Sequence, residues 1–200
     1  MIETSIQSSP KSRAMVCIFN DIASRWHATR KALCLALCVT VISAGPAYAD
    51  ITAKVINIID GDTIKIRLDG NVLKVRLQGI DAPERGQPFN KESTRHLKSL
   101  IAGEMVTIRA SKTDRYGRII GQIFATPKNC KTCPHSWDIN LEQIKAGYAW
   151  WYKYYSKEQS WSDQRAYRTA QSKARSERLG LWAEPNPINP YDWRKQKRYE

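Results

Sequence analysis

The chain has 200 residues, which is enough for one domain with a hydrophobic core but too few for two ordinary domains. Its formal net charge of +13 favours encounters with polyanions, of which nucleic acid is the commonest. Charge alone does not separate nucleic acid from an anionic membrane surface, a cell-wall polymer or ordinary solvated surface charge.

The first 49 residues have the pattern of a secretory signal peptide and leader. Arg30-Lys31 precedes the uncharged apolar run 32–44, and an A-x-A cleavage pattern ends at Ala49. The apolar run is shorter than the roughly 20 residues that a membrane-spanning helix needs. We therefore expect cleavage after Ala49 and export to the periplasm or the medium, with Met15 as an alternative start.

Alternating apolar and polar residues predict strands in the first part of the exported chain. The alternation is strict from Thr63 to Asp69, the pair Asp69-Gly70 favours a two-residue hairpin turn, and the alternation resumes from Leu73 to Gln78. Three further stretches are strand-like: 54–59, 105–109 and 119–124. Five short strands predict a small closed barrel.

Three helices are predicted in the remainder of the chain. Asn90 can cap the first, which ends before Gly103. Asp138 can cap the second, which runs through Ala146 and stops at Gly147. The third extends from about Lys157 to Leu179, with an apolar stripe formed by Tyr167, Ala170 and Ala174.

Beyond Ala183 the chain contains three prolines and the basic run 194–198, a composition that predicts an extended and mobile tail. The predicted organisation is therefore a leader at 1–49, one globular domain at 50–183 and a Pro-rich basic tail at 184–200. No stable protein partner is indicated, and we expect a monomer without a membrane span after cleavage.

Cys130 and Cys133 are the cysteines that remain after cleavage. Their C-x-x-C spacing in an exported protein predicts a local disulfide. A redox site is less favoured, since no helix follows the pair directly. Zinc is also disfavoured, because His135 would be only a third ligand.

Four carboxylates are predicted to meet at one end of the hairpin. Asp60 and Asp62 lie at its base, and Asp81 and Glu84 follow the returning strand. Folding about the turn places position 62 opposite position 77, which brings both pairs to the same end. Clustered carboxylates repel one another unless a cation lies among them, and oxygen ligands suit calcium or magnesium. The alternative is simple turn chemistry, which also favours Asp, Gly and Pro.

Two arginines are candidates for binding a phosphate group. Arg76 lies between Val75 and Leu77, so it must project from the opposite face of its strand. Arg118 follows a second predicted turn that contains Gly117. A guanidinium matches two phosphate oxygens, although a single arginine is more often a surface residue or an ion-pair partner. Together with the carboxylates, the two arginines favour phosphodiester cleavage.

Five motifs, in this order, resemble the thermonuclease or staphylococcal-nuclease-like family. They span most of the exported chain and are Ile-Asp-Gly-Asp-Thr (59–63), Arg-Leu-Gln-Gly-Ile-Asp-Ala-Pro-Glu (76–84), Asp-Arg-Tyr-Gly-Arg (114–118), Ala-Gly-Tyr-Ala-Trp (146–150) and Leu-Gly-Leu-Trp (179–182). The resemblance implies a mainly β, α+β fold, namely a five-stranded OB-fold barrel with three helices.

The resemblance also implies a nuclease that uses one calcium ion to hydrolyse DNA and RNA, leaving 3′-phosphate ends. The implied metal ligands are the carboxylates of Asp62 and Asp81 and the backbone carbonyl of Ala82. Glu84 is implied to orient or deprotonate the attacking water. The implied phosphate clamp consists of Arg76 and Arg118.

Further residues match the family's substrate-binding and supporting positions. Arg115 and Tyr116 match positions that hold the nucleotide, and Tyr155 lies in the region where tyrosines line the nucleotide pocket. Asp60 and Asp114 match supporting positions. The chain departs from the family pattern at Ala82, where threonine is usual, and at 85–90, which lacks a lysine-rich loop.

Two competing functions remain open from the sequence. A non-catalytic OB module could bind single strands through charge and aromatic rings, and a calcium-dependent adhesion protein could use the carboxylates alone. The binding module leaves carboxylates beside a polyanion unexplained, since each repels phosphate. The adhesion protein leaves Arg76 and Arg118 unexplained. The combined residues favour catalysis.

Overall fold

The structure is a computed structural model, and it describes residues 49–130 and 132–197. The predicted signal peptide and the alternative start at Met15 lie outside this part of the chain, apart from Ala49. Within the described ranges, no helix combines the length and the apolar character required to span a membrane.

Five strands form a closed barrel. The strands of the described residues are β1 (Ala49–Ile58), β2 (Thr63–Leu68), β3 (Asn71–Leu77), β4 (Ile80–Asp81), β5 (Met105–Thr113), β6 (Ile119–Ala125), β7 (Trp137–Asp138) and β8 (Trp150–Trp151). The barrel strands belong to a sheet with the order β3-β2-β1-β5-β6-β7, and parallel pairing of β3 with β6 closes the barrel. Two short strands, β4 and β8, pair separately. The predicted five-stranded barrel is confirmed.

The β2–β3 hairpin sets the register on which the candidate site depends. Asp69 and Gly70 have φ values of 48° and 80°, the left-handed pair that a tight two-residue turn requires. Thr63 pairs with Arg76, and the Leu77 amide donates to the Asp62 carbonyl at 2.8 Å. Position 62 therefore lies opposite position 77, as predicted.

The helices are α1 (Asn90–Ile101), α2 (Ile139–Lys145), α3 (Trp161–Ser176) and α4 (Pro190–Gln196), with short 3-10 segments at Lys153–Glu158 and Gly180–Ala183. Asp138 caps α2 by accepting from the Leu141 amide at 3.0 Å, as predicted. The prediction that Asn90 caps α1 was wrong, because Phe89 is the N-cap and the Asn90 side chain donates through Nδ2 to the Pro83 carbonyl at 2.7 Å.

The third helix is shorter than predicted. Residues 153–158 form a 3-10 segment, and Ser160 caps α3 by accepting from the Asp163 amide at 3.1 Å. The predicted stripe of Tyr167, Ala170 and Ala174 is buried. Helix α3 therefore begins after Ser160, a capping residue that the prediction had placed inside a longer helix.

The predicted extended tail was wrong for residues 190–196, which form helix α4. Asn189 caps this helix by accepting from the Tyr191 amide at 2.9 Å, and Pro190 occupies the first turn. Proline is well suited to that position, because its missing amide would have no helical partner there. The same proline that suggested an extended chain is therefore a helix start.

The core fills the barrel interior and continues under the helices. Fully buried barrel residues include Val55, Ile64, Ile66, Val75, Ile108 and Ile123, and the helices contribute Leu97, Ile101, Ile139, Ile144 and Tyr167. A smaller cluster joins Ala174 to Leu181 and Trp182. Leu181 and Trp182 thus dock onto the domain.

A close backbone contact at Gly147 explains the last two sequence motifs in structural terms. Gly147 has a φ of 74°, and an added Cβ there would lie 2.2 Å from the Leu179 carbonyl oxygen. The Leu181 amide donates to the Gly147 carbonyl at 2.9 Å, so the two segments touch through their backbones. These motifs join the end of α2 to the end of α3.

We expect Gly147→Ala to lower the free energy of unfolding by about 3 kcal/mol or more. The Cβ would meet backbone atoms that have no room to move, and the left-handed φ adds about 1 to 2 kcal/mol of strain. Gly70→Ala is the matched control, since Gly70 also has a positive φ, of 80°, but has nothing within 4 Å of an added Cβ. Urea unfolding followed by circular dichroism measures both variants, and equal losses would contradict the packing argument.

Candidate active site

Asp62 is a buried carboxylate held from three sides. Its side chain is only 9% exposed. One oxygen accepts from the Ala82 amide at 2.7 Å and contacts Arg76 Nη1 at 2.6 Å. The other oxygen accepts from the Thr63 hydroxyl at 3.0 Å. These contacts fix the carboxylate at the mouth of the barrel.

Arg76 links two carboxylates that are far apart in sequence. Val75 and Leu77 are buried in the barrel, and Arg76 projects from the opposite face. Its Nη1 contacts Asp62 at 2.6 Å and its Nη2 donates to Asp81 at 2.9 Å. The structure thus brings Asp62, Asp81 and Arg76 together.

Asp81 is positioned by the small β4–β8 sheet. Its backbone pairs with Trp150, while Ile80 pairs with Trp151. The Asp81 side chain is only 1% exposed. Trp150 in turn packs against Trp182 with ring centroids 4.3 Å apart. The two tryptophans of β8 therefore have a packing role and support the strand that carries Asp81.

The Asp60-Gly61-Asp62 turn is fixed by contacts from two helices. Asp60 accepts from the Asp62 amide at 3.1 Å, a local turn contact. The Gln143 amide of α2 donates to the Gly61 carbonyl at 2.7 Å. A Cβ at Gly61 would lie 1.9 Å from Ser93 Oγ of α1, so only glycine allows this close packing.

Glu84 lies at the rim of the same cluster. Its side chain is 38% exposed, in contrast to the buried Asp62 and Asp81. The Glu84 backbone amide donates to Gln87 Oε1 at 2.9 Å, and the Gln87 backbone amide donates to the Glu84 carbonyl at 2.9 Å. The backbone is therefore fixed, while the carboxylate remains partly open to solvent.

Burial raises the pKa of the Asp62 carboxyl well above its usual value, and neighbouring negative charges add to this effect. Burial is the largest cause, the Arg76 guanidinium lowers the pKa, and the charges of Asp60 and Asp81 raise it. Buried like charges are costly unless a positive group lies among them. Additional positive charge near Asp62 would therefore favour its ionised form.

The donor chemistry of this cluster suits a hard divalent cation. Within the residues described, no three His, Cys, Asp or Glu side chains form a ready-made metal site. Asp62, Asp81 and the Ala82 carbonyl nevertheless offer only oxygen donors, which fit calcium or magnesium better than zinc. The raised pKa of Asp62 is consistent with carboxylates that a cation would stabilise.

Arg118 lies in the turn immediately before β6, the strand that pairs with β3. Its Nε donates to Asp114 at 2.8 Å, and its backbone amide donates to the other oxygen of Asp114 at 3.0 Å. β6 pairs in parallel with β3, and Ile120 is the partner of Arg76. Among the contacts of the described residues, those of Arg118 reach Asp114 and Tyr116 rather than the carboxylate cluster.

The predicted nucleotide-binding residues are exposed near the same strands. Arg115 donates to the Tyr116 hydroxyl at 2.8 Å, and its guanidinium lies 4.8 Å from the Tyr116 ring centroid. Tyr155 is 42% exposed and contacts Tyr152 and Tyr154 edge to face. Lys112 Nζ lies 5.2 Å from the Tyr155 ring centroid. These residues form two aromatic and basic surfaces beside β5 and β6.

Cys130 and Cys133 are joined by a disulfide bond, the pairing that their spacing predicts. His135 lies within hydrogen-bonding distance of Thr107, with Nδ1 and Oγ1 2.8 Å apart. This pairing accounts for His135 without a metal ion. The disulfide closes a surface loop that lies apart from the residues discussed above.

Two groups near the site were missed in the sequence. A cleft of about 460 Å³ beside Asp60, Asp62 and Glu84 is lined on its α1 side by Lys91, Arg95 and Lys98. The signal was available, because these positions recur at helical spacing. Basic side chains of α1 and the carboxylates therefore line the same cleft.

The second missed group is Arg194 of α4. Its Nη2 donates to Asp81 Oδ2 at 2.9 Å, and its Nη1 donates to Asp81 Oδ1 at 3.1 Å and to Glu84 Oε1 at 2.5 Å. Helix α4 is held here by the side-chain amide of Gln87, whose Nε2 donates to the Ile188 carbonyl at 2.6 Å. The Asn189-Pro190 start was a usable helix signal, but nothing local indicated where the helix would dock.

Comparison with known proteins places this geometry in a family. Residues 74–184 match the model described as "Staphylococcal nuclease homologue". A protein from Shigella flexneri called "Micrococcal nuclease" is 35% identical over 164 residues, which cover 82% of this chain and 92% of the relative. An "Uncharacterized endonuclease" from Escherichia coli is 36% identical over 149 residues, covering 74% and 88%.

A relative from Haemophilus influenzae, also called "Uncharacterized endonuclease", is 38% identical over 174 residues. These cover 82% of this chain and 84% of the relative. The matched range 74–184 contains the positions of Arg76, Asp81, Glu84 and Arg118, whereas Asp62 precedes it. The chain belongs to the staphylococcal nuclease homologue family.

Proposed function

We propose that this protein is a calcium-dependent nuclease that hydrolyses DNA and RNA to products with 3′-phosphate ends. Its family membership supports nuclease activity, and relatives named as nucleases or endonucleases cover most of the chain. The observation that carries the proposal is the bridge from Arg76 to the buried Asp62 and Asp81. It combines a phosphate-binding group with oxygen donors for a cation.

The ion would be held by Asp62, Asp81 and the carbonyl of Ala82. When bound, it supplies a Lewis acid that polarises a phosphate oxygen and offsets the charge of the pentacoordinate transition state. Asp60 keeps the turn that presents Asp62 in place, through its bond from the Asp62 amide. Calcium is favoured over zinc because every donor is oxygen.

Glu84 orients or deprotonates the attacking water in this proposal. Its carboxylate is on the rim, where water reaches it, while its backbone is fixed by Gln87. Arg76 and Arg118 donate to the non-bridging phosphate oxygens, and charge-assisted bonds of this kind strengthen as negative charge develops. Asp114 keeps the Arg118 guanidinium oriented.

The flanking nucleotides are assigned to the two aromatic and basic surfaces. Arg115 and Tyr116 would hold one phosphate and its nucleotide, and Tyr155 would stack on a base. A purely binding module fits the site less well, because Asp62 and Asp81 would repel a phosphate chain without any gain in affinity. A cation-dependent reaction gives both carboxylates a function.

Export is also part of the proposal. The leader has the charged, apolar and A-x-A segments of a signal peptide, and a disulfide such as Cys130–Cys133 persists in oxidising compartments. The mature chain would begin at Asp50 and act as a monomer. Amino-terminal sequencing of protein recovered from the periplasm and the medium tests this, and recovery of uncleaved cytoplasmic protein would contradict it.

We expect the purified mature chain to degrade single-stranded DNA, duplex DNA and RNA when calcium is present. Excess EGTA should stop the reaction, and restored calcium should recover it. The ends of the products are then identified by labelling before and after phosphatase treatment. Unchanged digestion in chelator, or 5′-phosphate ends, would contradict the proposed mechanism. Arg76→Ala protein prepared in parallel controls for contaminating nucleases.

A further inference from the structure

A guanidinium from the carboxyl end of the chain occupies the carboxylates assigned to catalysis. Arg194 binds both oxygens of Asp81, at 3.1 and 2.9 Å, and one oxygen of Glu84 at 2.5 Å. Asp81 Oδ1 also accepts from Arg76 at 2.9 Å. Both oxygens of Asp81 are therefore bound to guanidinium groups.

The two arginines differ in how firmly the fold holds them. Arg76 lies within β3, whose backbone is paired on both sides, with β2 and with β6. Arg194 lies on a helix of seven residues, and its side chain is 32% exposed. Short helices contribute little stability on their own, so α4 depends on its docking contacts. Arg194 can leave the cluster while the barrel remains intact.

The docking contacts place α4 over the segment that follows Asp81. Gln87 is buried, and its side-chain Nε2 donates to the Ile188 carbonyl at 2.6 Å. Pro190 is buried at the start of the helix, while Lys195 and Gln196 are exposed. One face of α4 thus rests on the loop that carries Glu84, and its Arg194 points into the cluster.

We propose that α4 is an autoinhibitory element in which Arg194 competes with the divalent cation for Asp81 and Glu84. This inference rests on the proposed function, since it assumes a cation at the same carboxylates. A cation ligated by Asp81 would lie about 2.3 to 2.6 Å from a carboxylate oxygen. The Arg194 guanidinium already donates to those oxygens. The cation and the guanidinium would therefore lie close together, and their positive charges would repel each other.

The inhibition has two components. With Arg194 in place, both oxygens of Asp81 and one oxygen of Glu84 accept from its guanidinium, whose positive charge opposes a cation at the same oxygens. Cation binding must therefore displace Arg194, and the apparent affinity falls with the fraction of molecules in which α4 has moved away. The enzyme is latent at low cation concentration and becomes active once the cation has displaced the helix.

The test measures calcium binding rather than turnover. The full mature chain, Arg194→Gln and the control Lys195→Gln are titrated with calcium chloride by calorimetry. Lys195 is the neighbouring cation on the same helix and is exposed, so its loss matches the change in net charge. Coupling between two binding events in one protein typically changes an affinity by about 5- to 150-fold. We expect calcium to bind Arg194→Gln at least about fivefold more tightly, and Lys195→Gln within about twofold of the parent.

Hydrogen exchange provides a second readout in the unaltered protein. Saturating calcium should speed exchange of the backbone amides of residues 191–196, because the displaced helix loses its docking contacts. Arg194→Lys keeps the charge but loses the planar fork, and it should bind calcium with an affinity between those of the parent and Arg194→Gln. This variant also covers the case in which Arg194→Gln fails to fold.

The outcomes distinguish this inference from the proposed function. If calcium binds the parent and Arg194→Gln equally, or binds the variant more weakly, Arg194 supports the carboxylates and autoinhibition is overturned while the calcium site stands. If calcium does not change the hydrogen exchange rates of the α4 backbone amides, the proposed displacement of the helix is also overturned. If calcium binds none of the proteins, both the cation site and the inference are wrong.

Discussion

Replacing Arg76 with alanine is expected to lower kcat/KM by about 100- to 1000-fold or more and to destabilise the fold. The catalytic loss follows from removing a donor aimed at developing charge, which typically costs about 3 to 4 kcal/mol of transition-state stabilisation. The loss of stability follows from the contacts of the guanidinium with Asp62 and Asp81, at 2.6 and 2.9 Å. Removing one partner leaves buried charges uncompensated, and such changes cost about 3 to 5 kcal/mol.

Arg67→Ala is the matched control for Arg76→Ala. Arg67 lies on the adjacent strand β2, is exposed and carries the same charge. Its loss should change both quantities little, apart from a small effect on substrate encounter. Single-turnover digestion and urea unfolding separate the two effects. An Arg76→Ala protein with parental activity and stability would show that the bridge is neither catalytic nor structural.

The hairpin that builds the site was predictable because its information is local. The alternation from Thr63 to Asp69 and the Asp69-Gly70 turn fix a register in which side chains cannot slip by one residue without exposing the core face. That register places Asp62 opposite Leu77 and Asp81 at the same end. The convergence of Asp62, Asp81 and Arg76 follows from this pairing.

The docking of α4 was not predictable in the same way. Arg194 reaches Asp81 across 113 positions of sequence, and the helix is placed by single contacts such as Gln87 to Ile188. No periodicity in the tail encodes those contacts. Prolines and basic residues also occur in disordered tails, so composition pointed away from a folded segment. The resemblance to the family covered residues 59–182 and carried no information about Arg194.

Similarly, the cap of α1 depended on tertiary context. Asn90 is a favourable capping residue by type, but its side-chain amide donates to the Pro83 carbonyl instead. This contact ties the start of α1 to the turn between Asp81 and Glu84. The side chain that local rules assigned to a helix end therefore helps to shape the candidate site.

Replacing Glu84 with glutamine is the sharpest test of the water-activating role. The amide keeps the size of the side chain but cannot accept a proton, and loss of a positioned general base typically costs about 100- to 10,000-fold in rate. Glu84 is 38% exposed, and its backbone contacts with Gln87 do not involve the carboxylate. We therefore expect nearly parental stability together with a kcat lower by this factor.

The control for Glu84→Gln is Glu104→Gln, an exposed carboxylate outside the cluster. Because Arg194 also contacts Glu84, the substitution would release part of that contact and could by itself favour cation binding. The double variant Glu84→Gln/Arg194→Gln is therefore compared with the single variant Arg194→Gln. The contact between residues 84 and 194 is absent from both proteins. A loss of rate that persists in the Arg194→Gln background assigns it to catalysis. If Glu84→Gln digests single-stranded DNA at the parental rate under saturating calcium, Glu84 has no part in activating water, and another oxygen acceptor must do so.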